Sequence, residues 1–285
     1  MFLCVNNLGD YGEKKELSDV EKNILLSVEN ISISFSRSYK KDGEELTENK
    51  SVLKNISLQL NEGEIVALMG GNGSGKTTLF NIISGLINQD TGKVIFKGKD
   101  ITNWQAYKRA SAGIGRLFQD NHIFPNITVL ENMCLSSADS FGEIPFVSLL
   151  KKRKNDLIEN ERKMKAVNIL EELFEGSDNN LLKNKDKLAG ELSYGEKRLL
   201  GFARIFMGGY DLVLLDEPSA GVNGSTISNI LGMVNKLSNT NVTVFLIEHE
   251  KQFVNNIADR VIYIKDKKIV FNDNPNIVLS KIGMQ

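Results

Sequence analysis

Apolar positions along the chain fall into three patterns, and each predicts a different element. Alternation in Val28-Glu29-Asn30-Ile31-Ser32-Ile33-Ser34-Phe35 predicts a half-buried strand, and it resumes from Val52 to Leu60. Continuous apolar runs at Ile65-Val66-Ala67-Leu68-Met69, Leu212 to Leu215 and Val242 to Ile247 have the length of strands buried on both faces. Helical spacing holds for Leu79, Ile82, Ile83 and Leu86, ending near Gly85, and across Ser225 to Leu237. Lys93 to Lys97 reads as another strand. From about Asn121 to Gly190 the chain turns charged, amphipathic and helical, with Lys151-Lys152-Arg153-Lys154, a solvated face, followed by Leu157 to Phe174. Strands that alternate with helices predict an α/β chain with a parallel sheet.

The segments between are polar. Ser36 to Lys50 is lysine-rich and contains Asp42-Gly43, which predicts an exposed loop or hairpin tip, and Asn61-Glu62-Gly63-Glu64 reads as a turn. Residues 1–27 show only weak periodicity around Leu17, Val20, Ile24 and Leu25, which predicts an extension with at most one short helix before a domain spanning 28–285.

Composition changes this picture by exclusion. The chain has 285 residues, 35 Lys+Arg against 36 Asp+Glu, and 41% hydrophobic positions, enough for a sizeable core. A net charge of -1 argues against a nucleic-acid binder working through a broad basic face. No apolar run nears the roughly 20 residues of a membrane span, and Met1 to Val5 lacks the basic flank of a signal peptide. Cys4 and Cys134 have no metal-ligand spacing and read as free thiols. The expectation is a cytoplasmic protein.

Chemistry enters with Gly70-Gly71-Asn72-Gly73-Ser74-Gly75-Lys76-Thr77-Thr78, which fits the phosphate-binding pattern G-x-x-x-x-G-K-[ST]. It follows a buried strand and opens an amphipathic helix, so backbone N–H groups and the helix dipole can converge on a polyphosphate. Lys76 would reach the β- and γ-phosphates, and the Thr77 hydroxyl would bind Mg²⁺. Asp216 closes the run Leu212 to Leu215, where a carboxylate points into the ligand crevice and suits Mg²⁺ held through water. Glu217 is next, within reach of a water at the γ-phosphate. His249 follows the strand Val242 to Ile247 and can reach the same crevice edge. Read alone, His249 is an ordinary surface histidine.

Together these residues resemble the ATP-binding cassette (ABC) family, from about Val28 to Phe271. Leu192-Ser193-Tyr194-Gly195-Glu196-Lys197-Arg198 looks like the family signature, some twenty residues before Asp216-Glu217. Gln119 matches the Q-loop, Ser219 to Asn223 a variant D-loop, and His249 the switch histidine. Phe35, with Tyr39 as its alternative, stands where the family stacks an aromatic on adenine. Within the family, Gly113 to Gln119, Ile127 to Asn132, Ala189 to Gly195, Ser219 to Asn223 and Ile247 to Glu250 look like the cassettes of branched-chain amino-acid importers. Glu196 replaces the usual Gln, Gly71 stands where Pro is common, and Asp266-Lys267-Lys268 lacks the usual glycine.

The resemblance implies a P-loop NTPase with a RecA-like core and a mostly parallel sheet, an antiparallel β subdomain, and an inserted helical subdomain at about 121–198. It implies ATP and Mg²⁺ as ligands, with Glu217, His249 and Gln119 catalytic. Thr77, Gln119 and Asp216 stand on the metal side. Gly70, Asn72, Gly73, Ser74, Gly75, Lys76, Thr77, Thr78 and Phe35 would hold nucleotide. Ser193 and Gly195 would close over ATP held by a second cassette, in a homo- or heterodimer. The function implied is an ATPase energising a separate polytopic permease, held at the inner face of the cell membrane, for amino-acid or other small-solute import. A soluble cassette in cofactor assembly, without a permease, shares every motif named. A nucleic-acid ATPase of this family usually needs two cassettes or a long coiled-coil insert, and neither fits in 285 residues.

Overall fold

The computed structural model describes residues 23–41, 44–120, 122–137, 152–174 and 181–283. Strands β1 (Ile24–Lys41) and β2 (Glu44–Asn61) form a long antiparallel hairpin. The turn Asn61 to Glu64 leads into β3 (Ile65–Gly70). Strands β4 (Thr91–Phe96) and β5 (Lys99–Asp100) extend the hairpin into a four-stranded antiparallel sheet ordered β2-β1-β4-β5. The remaining strands are β6 (Ile114–Leu117), β7 (Leu212–Asp216), β8 (Thr243–Ile247), β9 (Arg260–Lys265) and β10 (Lys268–Asp273). With β3 they make a six-stranded sheet ordered β10-β9-β3-β8-β7-β6, parallel except at its β10 edge.

Helices cover the sheet: α1 (Lys76–Ile83), α2 (Ala106–Ser111), α3 (Val129–Cys134), α4 (Lys152–Phe174), α5 (Tyr194–Gly208), α6 (Gly224–Asn239), α7 (Lys251–Ile257) and α8 (Pro275–Gly283). The continuous apolar runs have a direct cause, since both faces of β3 are buried. Ile65, Ala67 and Met69 pack with Leu199, Phe202 and Val234 of α5 and α6. Val66 and Leu68 pack on the opposite face with Leu79 and Ile83 of α1 and with the antiparallel sheet. Two cores thus sandwich the parallel strands, the arrangement that all-parallel sheets require.

The start of the chain departs from expectation. Ile24 and Leu25, read as part of an extension, belong to β1, and the Leu25 carbonyl accepts the Lys97 N–H at 2.8 Å. The register slips between Ile24 and Leu26, and again between Val28 and Ile31, where Asn30 adopts φ 51°. These irregularities break the alternation that would have marked a longer strand. Leu17, Val20 and the rest of residues 1–22 lie outside the described residues, as do Asp42-Gly43. Ser36 to Lys50 is the far end of the same hairpin, and its backbone register runs from Ser36↔Asn49 to Lys41↔Glu44. Asp266 (φ 50°) and Lys267 (φ 69°) close the β9–β10 turn in left-handed conformations without a glycine.

Candidate functional site

The C-terminal ends of β3, β8, β7 and β6 are neighbours in the sheet, and the loops leaving them carry the predicted phosphate and catalytic residues. At Gly70 a side chain would collide with the Ile264 carbonyl, and at Gly75 (φ 99°) with Leu53 of β2. The hairpin therefore packs beneath the phosphate loop. Gly71 and Gly73, by contrast, face open space, and Gly71, Asn72 and Gly73 are exposed. Lys76 is 6% exposed and folds back to donate to the carbonyls of Gly70 (2.9 Å) and Gly71 (3.1 Å). Burial lowers the Lys76 pKa, while Glu217 and then Asp216 act to raise it.

These residues fit a polyphosphate. The Ser74 hydroxyl is buried with no hydrogen-bond partner among the described residues, beside a glycine cradle with room above it. Lys76 lies between that cradle and two carboxylates, and Thr77 is exposed at the first turn of α1. The chemistry of Thr77 and Asp216, hard oxygen donors near a phosphate loop, suits Mg²⁺.

Asp216 ends β7 with its side chain buried, paired to Arg116 of β6 at 3.2 Å. Glu217 follows in a left-handed conformation (φ 47°), its N–H donating to the Ile247 carbonyl at 3.0 Å. That turn brings three predicted catalytic residues together. Gln119 Nε2 donates to Glu217 Oε2 at 3.1 Å, and His249 Nε2 lies 3.2 Å from Glu217 Oε1. Phe35 is 47% exposed on the hairpin, its backbone paired with Lys50, three residues from the Leu53 that packs under Gly75. The Tyr39 side chain lies outside the described residues.

The signature residues sit elsewhere. Ser193 caps α5 in a reciprocal box: its Oγ accepts the Glu196 N–H (3.3 Å) and its own N–H donates to Glu196 Oε2 (2.8 Å). Glu196, in the place of the usual Gln, thereby completes the cap. A side chain at Gly195 would meet Thr226 Oγ1 at 3.0 Å. Ser193 and Tyr194 are exposed, and no hydrogen bond among the described residues joins Ser193 or Gly195 to the phosphate loop.

Three supporting residues escaped the sequence reading. Arg198, 1% exposed, donates to the carbonyls of Gln119 (2.7 Å), Phe118 (3.2 Å), Asp216 (3.2 Å), Glu217 (2.6 Å) and Pro218 (3.4 Å). It fastens α5 to both the Gln119 segment and the backbone of Asp216 and Glu217. Glu248, 3% exposed, accepts the N–H groups of Ser219 (2.8 Å) and His249 (3.0 Å) and so fixes the histidine's approach. Arg116 is the third. The only available signal was a charged residue beside each motif, which says nothing about which backbone it reaches.

Comparison with known proteins agrees with this geometry. A family model described as ABC transporter matches residues 53–220, more than half of the chain. The lipopolysaccharide export system ATP-binding protein LptB of Haemophilus influenzae is 32% identical over 256 residues, 90% of this chain and 93% of its own. The probable branched-chain amino acid transport ATP-binding protein LivG of Methanocaldococcus jannaschii is 35% identical over 220 residues, 76% of this chain and 82% of its own. The solved ADP conformation of MJ1267, an ATP-binding cassette of an ABC transporter, matches with a TM-score of 0.70 at 31% identity, covering 90% of this chain and 95% of that one. Motifs, sheet order and relatives converge: the chain belongs to the ABC transporter family, as an ATP-binding cassette.

Proposed function

We propose that this chain hydrolyses ATP to energise a separate membrane permease. The observation that carries the reading is the cluster Gln119–Glu217–His249 at the crevice edge that also holds Lys76. Phosphoryl transfer asks mainly for positioning and charge stabilisation. Lys76 and the loop N–H groups would hold the phosphates and take up charge as it moves onto the leaving diphosphate. Glu217 would orient and polarise the attacking water, with His249 and Gln119 completing the γ-phosphate end. Thr77, Asp216 and Gln119 would hold Mg²⁺, which neutralises the phosphate oxygens when bound.

Cassettes of this family dimerise and work with membrane components. The exposed Ser193 and half-buried Gly195, without a hydrogen bond to their own phosphate loop among the described residues, support a site completed by a second cassette, identical or not. No described helix is long and apolar enough to cross a membrane, in keeping with a permease on another chain. A cavity of about 250 Å³ beside the Q-loop, lined in part by Phe118, His122, Ser136 and Arg204, with Phe124 and Leu135 exposed nearby, supports docking there and a place at the inner membrane face. The importer-like segments support inward movement of an amino acid or other small solute.

The test is affinity capture of the tagged chain from detergent-solubilised native membranes. Stoichiometric recovery of a polytopic membrane protein supports the proposal, and its identity separates import from export. Recovery of soluble partners alone, with no membrane pool, overturns it in favour of an assembly ATPase.

A further inference from the structure

The Arg116 contacts go beyond those the hydrolysis scheme uses. One terminal nitrogen of Arg116 lies 3.2 Å from Asp216 Oδ2, and the two side chains are only 6% and 9% exposed. Its other terminal nitrogen donates to Asn81 Oδ1 (2.8 Å) and Ser84 Oγ (3.0 Å), tying the guanidinium to the phosphate-loop helix and its cap. The guanidinium carbon stands 4.5 Å from the centre of the Phe118 ring. A cation held at several points is fixed in place. It is held there at a cost, because Nε is buried with no hydrogen-bond partner among the described residues. Asp216 Oδ1 receives no hydrogen bond among the described residues and is the oxygen left for a metal shell.

We infer that Arg116 is a positioning residue that acts through Asp216 as a resident counter-ion. It compensates the carboxylate when the metal is absent and opposes retention of Mg²⁺ with ADP when the metal is bound. The physics is direct: a fixed positive charge and a dication share one buried carboxylate, and like charges at that separation repel strongly where water is excluded. A carboxylate with no such neighbour would hold the metal more tightly, and a buried carboxylate with no cation at all would be costly in the empty site. Arg116 removes the second cost at the expense of the first. The inference rests on Asp216 as a metal-side residue.

The experiment measures ADP affinity of the purified chain by calorimetry, with excess Mg²⁺ and with EDTA, for wild type, Arg116→Met, Arg116→Gln and Arg116→Lys. In the two neutral variants the tightening of ADP by Mg²⁺ should grow by about tenfold, while affinity in EDTA stays within about twofold of wild type. Arg116→Lys, which keeps the charge, should stay near wild type. A Mg²⁺-dependent tightening that is unchanged or reduced in the neutral variants overturns the proposal, and would mean that Arg116 serves only to orient Asp216. Parallel changes with and without metal also overturn it, since they report general damage to the site. If wild-type ADP affinity ignores Mg²⁺ altogether, the assignment of Asp216 to the metal fails first and takes the inference with it. Should Arg116→Met not fold, Arg116→Gln, whose amide can still bond Asn81, carries the same comparison.

Discussion

The crevice edge and the start of α5 carry equally specific motifs, yet they are finished to different degrees. At the crevice edge the charged groups are already paired: Lys76 with the loop carbonyls, and, across elements, Glu217 with Gln119 and His249 and Asp216 with Arg116. At the start of α5, the Ser193 hydroxyl bonds only to Glu196 among the described residues, one turn along the same helix, and Ser193 and Tyr194 face outward. One region is built by tertiary structure; the other is built locally and presented. Under the proposed function the difference has a reason: residues serving their own nucleotide are held before it arrives, whereas residues serving a neighbour's stay accessible.

The contrast breaks most sharply at Glu217. Glu217→Gln should retain ATP and lose hydrolysis by about a hundredfold or more, the scale of a lost general base, as single-turnover assays of the assembled complex would read it. Hydrolysis near wild type would remove Glu217 from the base role. Lys76→Ala should weaken ATP binding by tens of fold, through loss of a buried charge-assisted contact to phosphate. Equilibrium binding of a fluorescent nucleotide checks this, and unchanged affinity would undo the phosphate-loop assignment. Ser193→Ala sharpens the comparison, because its effects should divide. Loss of the cap should cost about 1 kcal/mol in urea melts. Nucleotide affinity of the isolated chain should not move, while steady-state hydrolysis in the assembled complex falls. A loss of nucleotide affinity in the isolated chain would instead place Ser193 at its own site.

The smallest expected effect is in pH. The folded-state pKa of Lys76 lies below its ordinary value near 10.5 because of burial. Between the two values the unfolded chain holds more protons than the folded one, so stability of the nucleotide-free protein should rise with pH across that window. Lys76→Met should flatten the rise, which denaturant titrations at stepped alkaline pH can follow. A slope that persists in the variant belongs to other groups.

Much of the fold was legible because both cores act on the same strands. Continuous runs such as Leu212 to Leu215 have no polar face to present, and the pattern says so. The phosphate loop and Asp216-Glu217 were legible because local spacing and chain position suffice to define them. What escaped was set by distance in sequence. Arg198 reaches carbonyls as far as 80 residues away, and Arg116 meets Asp216 across 100 residues. An arginine's targets there are backbone atoms or a carboxylate brought in by sheet order, and no periodicity encodes them. The start of β1 escaped for a local reason, since its register shifts scramble the alternation that betrays a strand.

The long hairpin has a mechanical consequence. β1 last pairs with β4 at Ser32↔Thr91, while β1 and β2 run on together to Lys41↔Glu44. Its outer part is a two-stranded arm of some nine residue pairs, about 30 Å long at the rise of a strand. At its root Leu53 is wedged under Gly75, where no side chain fits. An arm with a short, packed root is a lever. A load applied near its end would bear on that root, beside the phosphate loop, without touching the loop itself.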